Sequence, residues 1–313
     1  EASTQQKGRC VLSADRRYGE HDMQAIWRAD EPHAATPERQ TRLLSWLRPR
    51  GAADLATLKP RGRVTVSAEA ERDLLAGMGL DPDKPVAALF PNITWDTAVI
   101  GRDTIFRSME DWALASIEFF QSRPDLQLVV RAHPQEKVSS WEFIGKLVRE
   151  RWPDLPANVA LVESEDPLST YRLLGATQAA LVYTGTLGIE CAVFGLHVLC
   201  AGRAHYIDCG FTRNPESRDA YFDLAARIML DPESVALTRR QIEKAWCYAD
   251  LYMNQVPLPF PWAYDDFLSS VENEWPMDRV LSADGEALFG RTFEYFAGDR
   301  EHEPGLIGLY QGS

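Results

Sequence analysis

Leu126-Gln-Leu-Val-Val-Arg-Ala-His-Pro134 and Ala179-Ala-Leu-Val-Tyr-Thr-Gly-Thr-Leu-Gly-Ile-Glu190 are the two stretches that decide the fold. Each is a continuous apolar run that stops abruptly in polar residues and turn formers. A strand covered by helices on both faces reads this way, because neither face has to meet water. Pro134 has no N–H for a ladder and disfavours helix before it, so it marks a strand end. Gly185 permits a tight turn or a close backbone approach, and Thr186 is the expected N-cap of the helix that follows. In open α/β sheets, ligands bind outside the carboxyl ends of the strands, which is where both polar segments fall.

The same alternation extends outward from these stretches. A helix is expected over 67–78, with Ser67 as N-cap and Gly79 near its end. Pro85-Val-Ala-Ala-Leu-Phe90 reads as the first buried strand and runs into the polar loop Pro91-Asn-Ile-Thr-Trp-Asp96. An amphipathic helix follows over 109–120, with Trp112, Ala115 and Phe119 at spacings of three and four. After the 126–130 strand come a helix over 141–152 and a strand over 159–162. A helix over 167–174 carries Pro167 in its first turn. The remaining elements are a strand over 179–183, a helix over 187–194 ending at Gly195, and a strand over 197–200. Five apolar strands alternating with helices through short connections predict an α/β fold with a doubly wound, mostly parallel, Rossmann-like sheet.

After Gly202 the pattern changes to a polar, aromatic loop over 203–215. Helices are expected over 217–230 and 238–254, and Ile242, Trp246 and Ala249 form one stripe of the second. The prolines at 257, 259 and 261 then break the pattern. Three parts result: a lead-in or remnant of an N-terminal domain over 1–62, a donor-binding domain over 63–260, and a C-terminal extension over 261–313. Residue 1 is Glu, so the chain reads as a piece of a longer one.

Composition removes several function classes. With 33 Lys+Arg against 46 Asp+Glu, the formal net charge of −13 argues against nucleic acid as a partner. No run approaches the roughly 18 apolar residues of a membrane span, and no signal peptide is visible in the polar stretch that opens the sequence. Five cysteines without a CxxC pair suit reduced, buried thiols in a cytoplasmic protein. The six histidines show no metal-ligand spacing, and no metal or other cofactor is expected.

The candidate site gathers at the strand ends. Arg131 and His133 are two apart, so on a continuing strand they share a face, where a cation and an imidazole suit a phosphate. The plain alternative is an arginine paired with a carboxylate and a histidine satisfied by backbone. Thr184, Gly185 and Thr186 offer two hydroxyls and the free N–H groups of a helix start, an arrangement that suits an anion or a simple cap. A capping box would place Glu at position 189, which is Ile. Glu190 therefore stands alone in an apolar helix and needs a partner, either ribose hydroxyls or a neighbouring arginine. Asn92, Thr94 and Asp96 sit at the same edge, and Asp96 either acts on an acceptor hydroxyl or caps the next segment. His205, Tyr206 and Asp208 are polar enough to line a pocket, while Trp246, Tyr248 and Tyr252 read as helix packing.

Arg131-Ala-His-Pro134, the helix start Thr184-Gly-Thr-Leu-Gly-Ile-Glu190, and Gly202-Arg-Ala-His-Tyr-Ile-Asp-Cys-Gly-Phe-Thr212, in this order, resemble the capsule polysaccharide biosynthesis glycosyltransferases of GT-B architecture. The likeness covers about 85–260, the nucleotide-sugar half. Its His-Pro element is similar to the one with which sialyl- and Kdo-type transferases hold a CMP phosphate. The resemblance implies metal-independent transfer of a sugar from a nucleotide-sugar donor, CMP-type favoured, to a capsular or surface glycan or lipid-linked acceptor. It implies donor contacts from Asn92, Arg131, His133, Thr184, Gly185, Thr186 and Glu190, with Asp96 and His133 in catalysis. It also implies work at the inner face of the membrane or within a synthase complex. Residues 1–60 are too few for the family's acceptor domain, so a general base from that domain is either missing or replaced by Asp96 or a residue such as Asp15 or His21. A nucleotide-sugar epimerase, a polyol-phosphate transferase and a non-catalytic nucleotide-sugar-binding module fit the same fold.

Overall fold

The computed structural model describes residues 2–3, 9–12, 23–29, 34–48, 67–138, 144–262 and 270–297. Contacts divide the chain into two compact units, one of residues 33–248 and one of residues 1–32 with 249–313.

The 33–248 unit is built on five parallel strands: β1 (Val86–Phe90), β2 (Gln127–Arg131), β3 (Val159–Val162), β4 (Ala179–Val182) and β5 (His197–Cys200). Their spatial order is β3-β2-β1-β4-β5. The chain steps outward from β1 through β2 to β3, then returns to β4 on the other side of β1. The point between β1 and β4 is therefore the topological switch point, where adjacent connections leave toward opposite faces and open a crevice. The register is fixed there by Ala87 opposite Ala179 and Phe90 opposite Val182. Every residue of β1, β2, β4 and β5 is buried, as their unbroken apolar runs require.

The surrounding helices are α1 (Pro37–Leu47), α2 (Ala68–Gly77), α3 (Met109–Gln121), α4 (Ile144–Arg151), α5 (Thr170–Gly175), α6 (Leu187–Val193), α7 (Arg218–Leu230) and α8 (Arg239–Asp250). Hydroxyl caps start four of them: Thr36, Ser67, Ser108 and Ser217 each accept from the N–H three residues on. At the start of α8, Thr238 and Gln241 cap each other reciprocally, the hydroxyl accepting from Gln241 N and Gln241 Oε1 from Thr238 N. Gly79 takes φ +77° where the chain turns after α2. The core on the α3 and α7 side holds Trp112, whose indole N–H donates to the Tyr221 hydroxyl at 3.0 Å with both side chains fully buried. Phe119 and Phe222 stack beside it, 4.7 Å apart.

Three expected elements differ. The helix expected from Pro167 begins only at Thr170. Arg131 takes the Asp166 and Leu168 carbonyls and Asp166 Oδ1 takes the Leu168 N–H, so this stretch stays a loop. The helix expected from 141 is described from Ile144, and 139–143 lie outside the described residues. After Asp250 the last expected helix continues as one π-helical turn, Leu251–Gln255.

In the other unit, Arg9–Leu12 pairs antiparallel with Ala2–Ser3 and with Leu258–Pro259. These strands are too short to register as a period in the sequence. Helices Met277–Val280 and Ala283–Phe296 follow, and the Thr292 hydroxyl donates to the Pro259 carbonyl at 2.8 Å. Asp15 and His21 lie outside the described residues. No helix among the described residues is long and apolar enough to cross a membrane. Cys191, Cys200, Cys209 and Cys247 are buried and unbridged.

Candidate functional site

The loop after β1 and the turn after β4 meet across the switch point. Asn92, two residues beyond β1, is buried, and its Oδ1 accepts the Thr184 N–H at 3.2 Å. The Thr184 hydroxyl has one proton and two acceptors within reach, Ala98 O at 2.9 Å and Asn92 Oδ1 at 3.3 Å. The shorter contact takes it. Asn92 Nδ2 in turn donates to Asp96 Oδ2 at 3.2 Å. One amide thus ties the β1 loop to the β4 turn.

Asp96 also accepts from the Ala98 N–H at 2.9 Å, opening the 3-10 turn Thr97–Val99. It is a capping carboxylate in this geometry, and its charge still reaches the neighbouring His133. Burial pushes the His133 pKa below its ordinary value; the Asp96 charge raises it, and the Arg131 charge adds a smaller lowering. His133 Nδ1 accepts the Gln135 N–H at 3.2 Å. In the neutral ring the proton is therefore on Nε2, which leaves an N–H donor for a ligand.

β2 ends at Arg131, so the strand parity expected to align Arg131 with His133 stops before His133. The Pro134–Val138 3-10 turn sets the imidazole instead. Arg131 is buried, and its NH1 and NH2 groups donate to the carbonyls of Glu163, Asp166 and Leu168 in the loop after β3. Its Nε is buried and has no hydrogen-bond partner among the described residues. Glu136, buried in the same turn, receives backbone N–H groups from Gly145 and Ile144, and so anchors the turn to the start of α4.

On the β4 side, Thr186 stands at the N-cap position of α6, but in helical conformation and without a side-chain capping bond. The first N–H groups bonded within this turn are those of Gly188 and Ile189, to the carbonyls of Gly185 and Thr186. The fully buried Tyr206 donates its hydroxyl to the Gly185 carbonyl at 2.6 Å. Gly188 makes room for it: a Cβ there would lie 2.2 Å from the Tyr206 hydroxyl. Glu190 is buried, and its Oε2 accepts the hydroxyl of Tyr171 on α5. Neither the ribose nor the arginine reading had named that partner.

The structure therefore links Asn92, Asp96, His133, Thr184 and Gly185 around one crevice. Thr186 follows at the N-cap of α6, and Glu190 lies within that helix. Of the weaker sequence candidates, Tyr206 supports the β4 turn from beneath. His205 Nδ1 lies 2.8 Å from the Tyr248 hydroxyl, which ties the loop after β5 to α8. Tyr171 was missed; one tyrosine in a six-residue helix gives no pattern. The clue to Tyr206 was Gly188, a glycine inside an apolar helix, where a close neighbour is the usual reason for its presence. Among the described residues no three His, Cys, Asp or Glu side chains are grouped to hold a metal ion.

No family model and no curated protein sequence matches the chain. Solved structures similar to parts of it include the beta Kdo 2,4 transferase KpsC of Thermosulfurimonas dismutans, at 16% identity and TM-score 0.35, covering 58% of this chain and 53% of that one. Another is the UDP-GlcNAc 2-epimerase of Neisseria meningitidis bound to UDP-GlcNAc, at 13% identity and TM-score 0.41, covering 65% and 50%. A third is the sucrose-phosphate synthase of Thermosynechococcus elongatus, at 14% identity and TM-score 0.43, covering 90% and 67%. The chain spans about half the length of the first two.

Proposed function

We propose that the 33–248 unit holds the nucleotide of a nucleotide-sugar donor at the β1/β4 crevice, and that the protein transfers the sugar to a glycan or lipid-linked acceptor. The observation that carries this reading is the Asn92 bridge. It connects Asp96, and through its field His133, to the Thr184–Gly185–Thr186 turn across the switch point of the sheet. Ligands of doubly wound sheets bind at such a crevice.

The residues divide the work by their chemistry. His133 offers Nε2–H to a phosphate oxygen, and as the sugar–phosphate bond breaks, a donor at this place stabilises the departing charge. Gly185 and Thr186 are assigned the backbone N–H groups and the hydroxyl that meet the same phosphate, and Thr184, whose N–H and hydroxyl are taken by Asn92 and Ala98, is assigned the holding of the turn. Glu190, oriented by Tyr171, is assigned to the ribose. Arg131 is assigned an indirect part in holding the phosphate: it fixes the loop after β3, which borders the His133 turn. Asp96 is the base proposed for the acceptor hydroxyl. The Arg-Ala-His-Pro resemblance favours a CMP-type donor and transfer without a metal, with a capsular or surface glycan as acceptor at the inner face of the membrane.

Isothermal titration with CMP, CDP, UDP and GDP tests the reading. Binding of one of them, weakened about tenfold or more in His133→Ala (some 1.4 kcal/mol), supports it. Binding of none, or binding indifferent to His133→Ala in a folded variant, overturns it.

A further inference from the structure

Beside the crevice lies a second cavity, of about 190 Å³, between two helices. Because β1, β2 and β3 step in one direction, the right-handed connections through α3 and α4 put both helices on the same face of the sheet, where they pack together. Thr94, in the loop after β1, and Glu110, in the first turn of α3, place the cavity at the carboxyl edge of that face. Leu114, Ile144 and Leu147 supply its apolar wall. Lys146 and Glu150 complete the lining among the described residues.

Two connections run from this cavity to the residues proposed to carry the chemistry. The Asp96 N–H donates to the Ile93 carbonyl at 3.0 Å, so residues 93–96 form a tight turn with Thr94 within it and Asp96 at its end. On the other side, Ile144 gives its N–H to the buried Glu136 of the His133 turn. A molecule in the cavity would thus be held between the turn that ends in Asp96 and the helix that is anchored to the His133 turn. The volume is below the roughly 300–1,000 Å³ of pockets that enclose a whole drug-sized ligand, and suits one sugar ring.

The lining sets the charge that fits. Lys146 Nζ lies 3.8 Å from Glu150, with both side chains more than half exposed, so this pair is loose and its charges cancel. Glu110 is half-buried and has no side-chain hydrogen bond or ion pair among the described residues. A carboxylate so placed beside an apolar wall accepts hydroxyl protons and repels an anion. Next to Thr94, Trp95 keeps 42% of its surface exposed. An indole, apolar on its faces and polar at its edge, suits a ligand of mixed polarity such as a pyranose.

We propose that the α3–α4 cavity is the acceptor subsite, and that it takes a sugar ring without negative charge, one hydroxyl of which is presented to Asp96. In the transfer that hydroxyl gives its proton to Asp96 and its oxygen bonds to the anomeric carbon of the donor. The bond from that carbon to the donor phosphate oxygen breaks, and its electron pair leaves with the phosphate. The acceptor role rests on the donor reading above, whereas the binding of an uncharged sugar stands without it.

The experiment follows the methyl signals of Leu114, Ile144 and Leu147 by NMR in the wild type, Glu110→Ala and Glu110→Lys. Each is titrated with methyl glucoside, methyl galactoside, methyl mannoside and methyl glucuronide, with and without CMP, CDP, UDP or GDP. At least one uncharged glycoside should shift these signals, with half-saturation on the order of 1–10 mM. The glucuronide should bind about tenfold more weakly, because its carboxylate meets Glu110. Glu110→Ala should weaken the uncharged glycoside about tenfold, the loss of one charge-assisted contact. Glu110→Lys, with a dispersed spectrum showing that it is folded, should prefer the glucuronide; a purely structural glutamate would give no such reversal. Glycoside binding without binding of any nucleotide sinks the donor reading and leaves the sugar subsite standing. Methyl signals indifferent to every glycoside, or a glucuronide bound by the wild type as tightly as the uncharged glycosides, overturn the proposal whether or not a nucleotide binds.

Discussion

The side-chain oxygen of Asn92 accepts the backbone N–H of Thr184 at 3.2 Å, which joins the end of β1 to the end of β4 where the sheet reverses its winding. Both residues are buried, so Asn92→Ala leaves a buried amide without its acceptor. The expected cost is about 1–3 kcal/mol. Urea denaturation reads that cost, and nucleotide titration of the folded variant should show weaker binding as the turn loosens. A variant as stable as the wild type would mean that the bridge is incidental.

Gly188 and Tyr206 make a second coupled pair. Gly188→Ala puts a methyl group where the Tyr206 hydroxyl lies and is expected to cost about 1–3 kcal/mol. Tyr206→Phe keeps the ring and loses the bond to the Gly185 carbonyl together with the one shared with the Cys200 side chain, an expected loss of about 1–2 kcal/mol. The two single variants and the double in thermal melts should be non-additive, since the substitutions meet at one contact. Strict additivity would contradict the packing described.

How the sequence revealed this arrangement varied by residue type. The strands were legible because β1, β2 and β4 are buried on both faces, and burial on both faces leaves an uninterrupted apolar run such as Val86-Ala-Ala-Leu-Phe90. The cap at Ser67 was legible because a hydroxyl before a helix has few other uses. The strand order was not, because periodicity says nothing of which strands are neighbours, and so neither was the contact between Asn92 and Thr184 across 92 positions. Arg131 shows the limit in another way. Its place at the strand end was readable, but the direction of its guanidinium depends on three carbonyls in the loop after β3. The small sheet of the other unit rests on strands of two to four residues, too short to carry a period.

His133 gives a pH signature. Burial lowers its pKa and Asp96 partly restores it, so its imidazole should titrate below 6.5 when followed by NMR in the free protein. In Asp96→Asn the midpoint should fall further, because a negative charge that favoured the imidazolium is gone. A bound phosphate should move it upward for the converse reason. Because the folded pKa lies below the unfolded one, stability from this group is present above pH 6.5 and lost as pH falls through the folded value. A midpoint above 6.5, or one indifferent to Asp96→Asn, would contradict the site's electrostatics.

Glu136 has the opposite sign. Burial raises its carboxyl pKa above the ordinary 4.5, against the lowering by the N–H groups it receives from Gly145, His133 and Ile144. Its contribution to stability is full below the unfolded pKa and is lost as pH rises through the folded one. Glu136→Gln, which cannot ionise, should therefore gain stability relative to the wild type as pH is raised from about 4.5. Urea midpoints across that range, with a constant difference between the two proteins, would show that the carboxyl is not held in a desolvated place.

The claim on which the others depend is that a nucleotide phosphate lies between His133 and the Thr184–Gly185–Thr186 turn. A groove of about 560 Å³ near the opposite strand ends, lined in part by Lys84, Gln178 and His197, offers a competing location. A crystal structure of the protein soaked with the tightest-binding nucleotide from the CMP, CDP, UDP and GDP series decides between them. The account predicts a phosphate oxygen within hydrogen-bonding distance of His133 Nε2, with the turn after β4 on its other side. Nucleotide density at the opposite edge, with the crevice beside Asn92 unaltered, would contradict it.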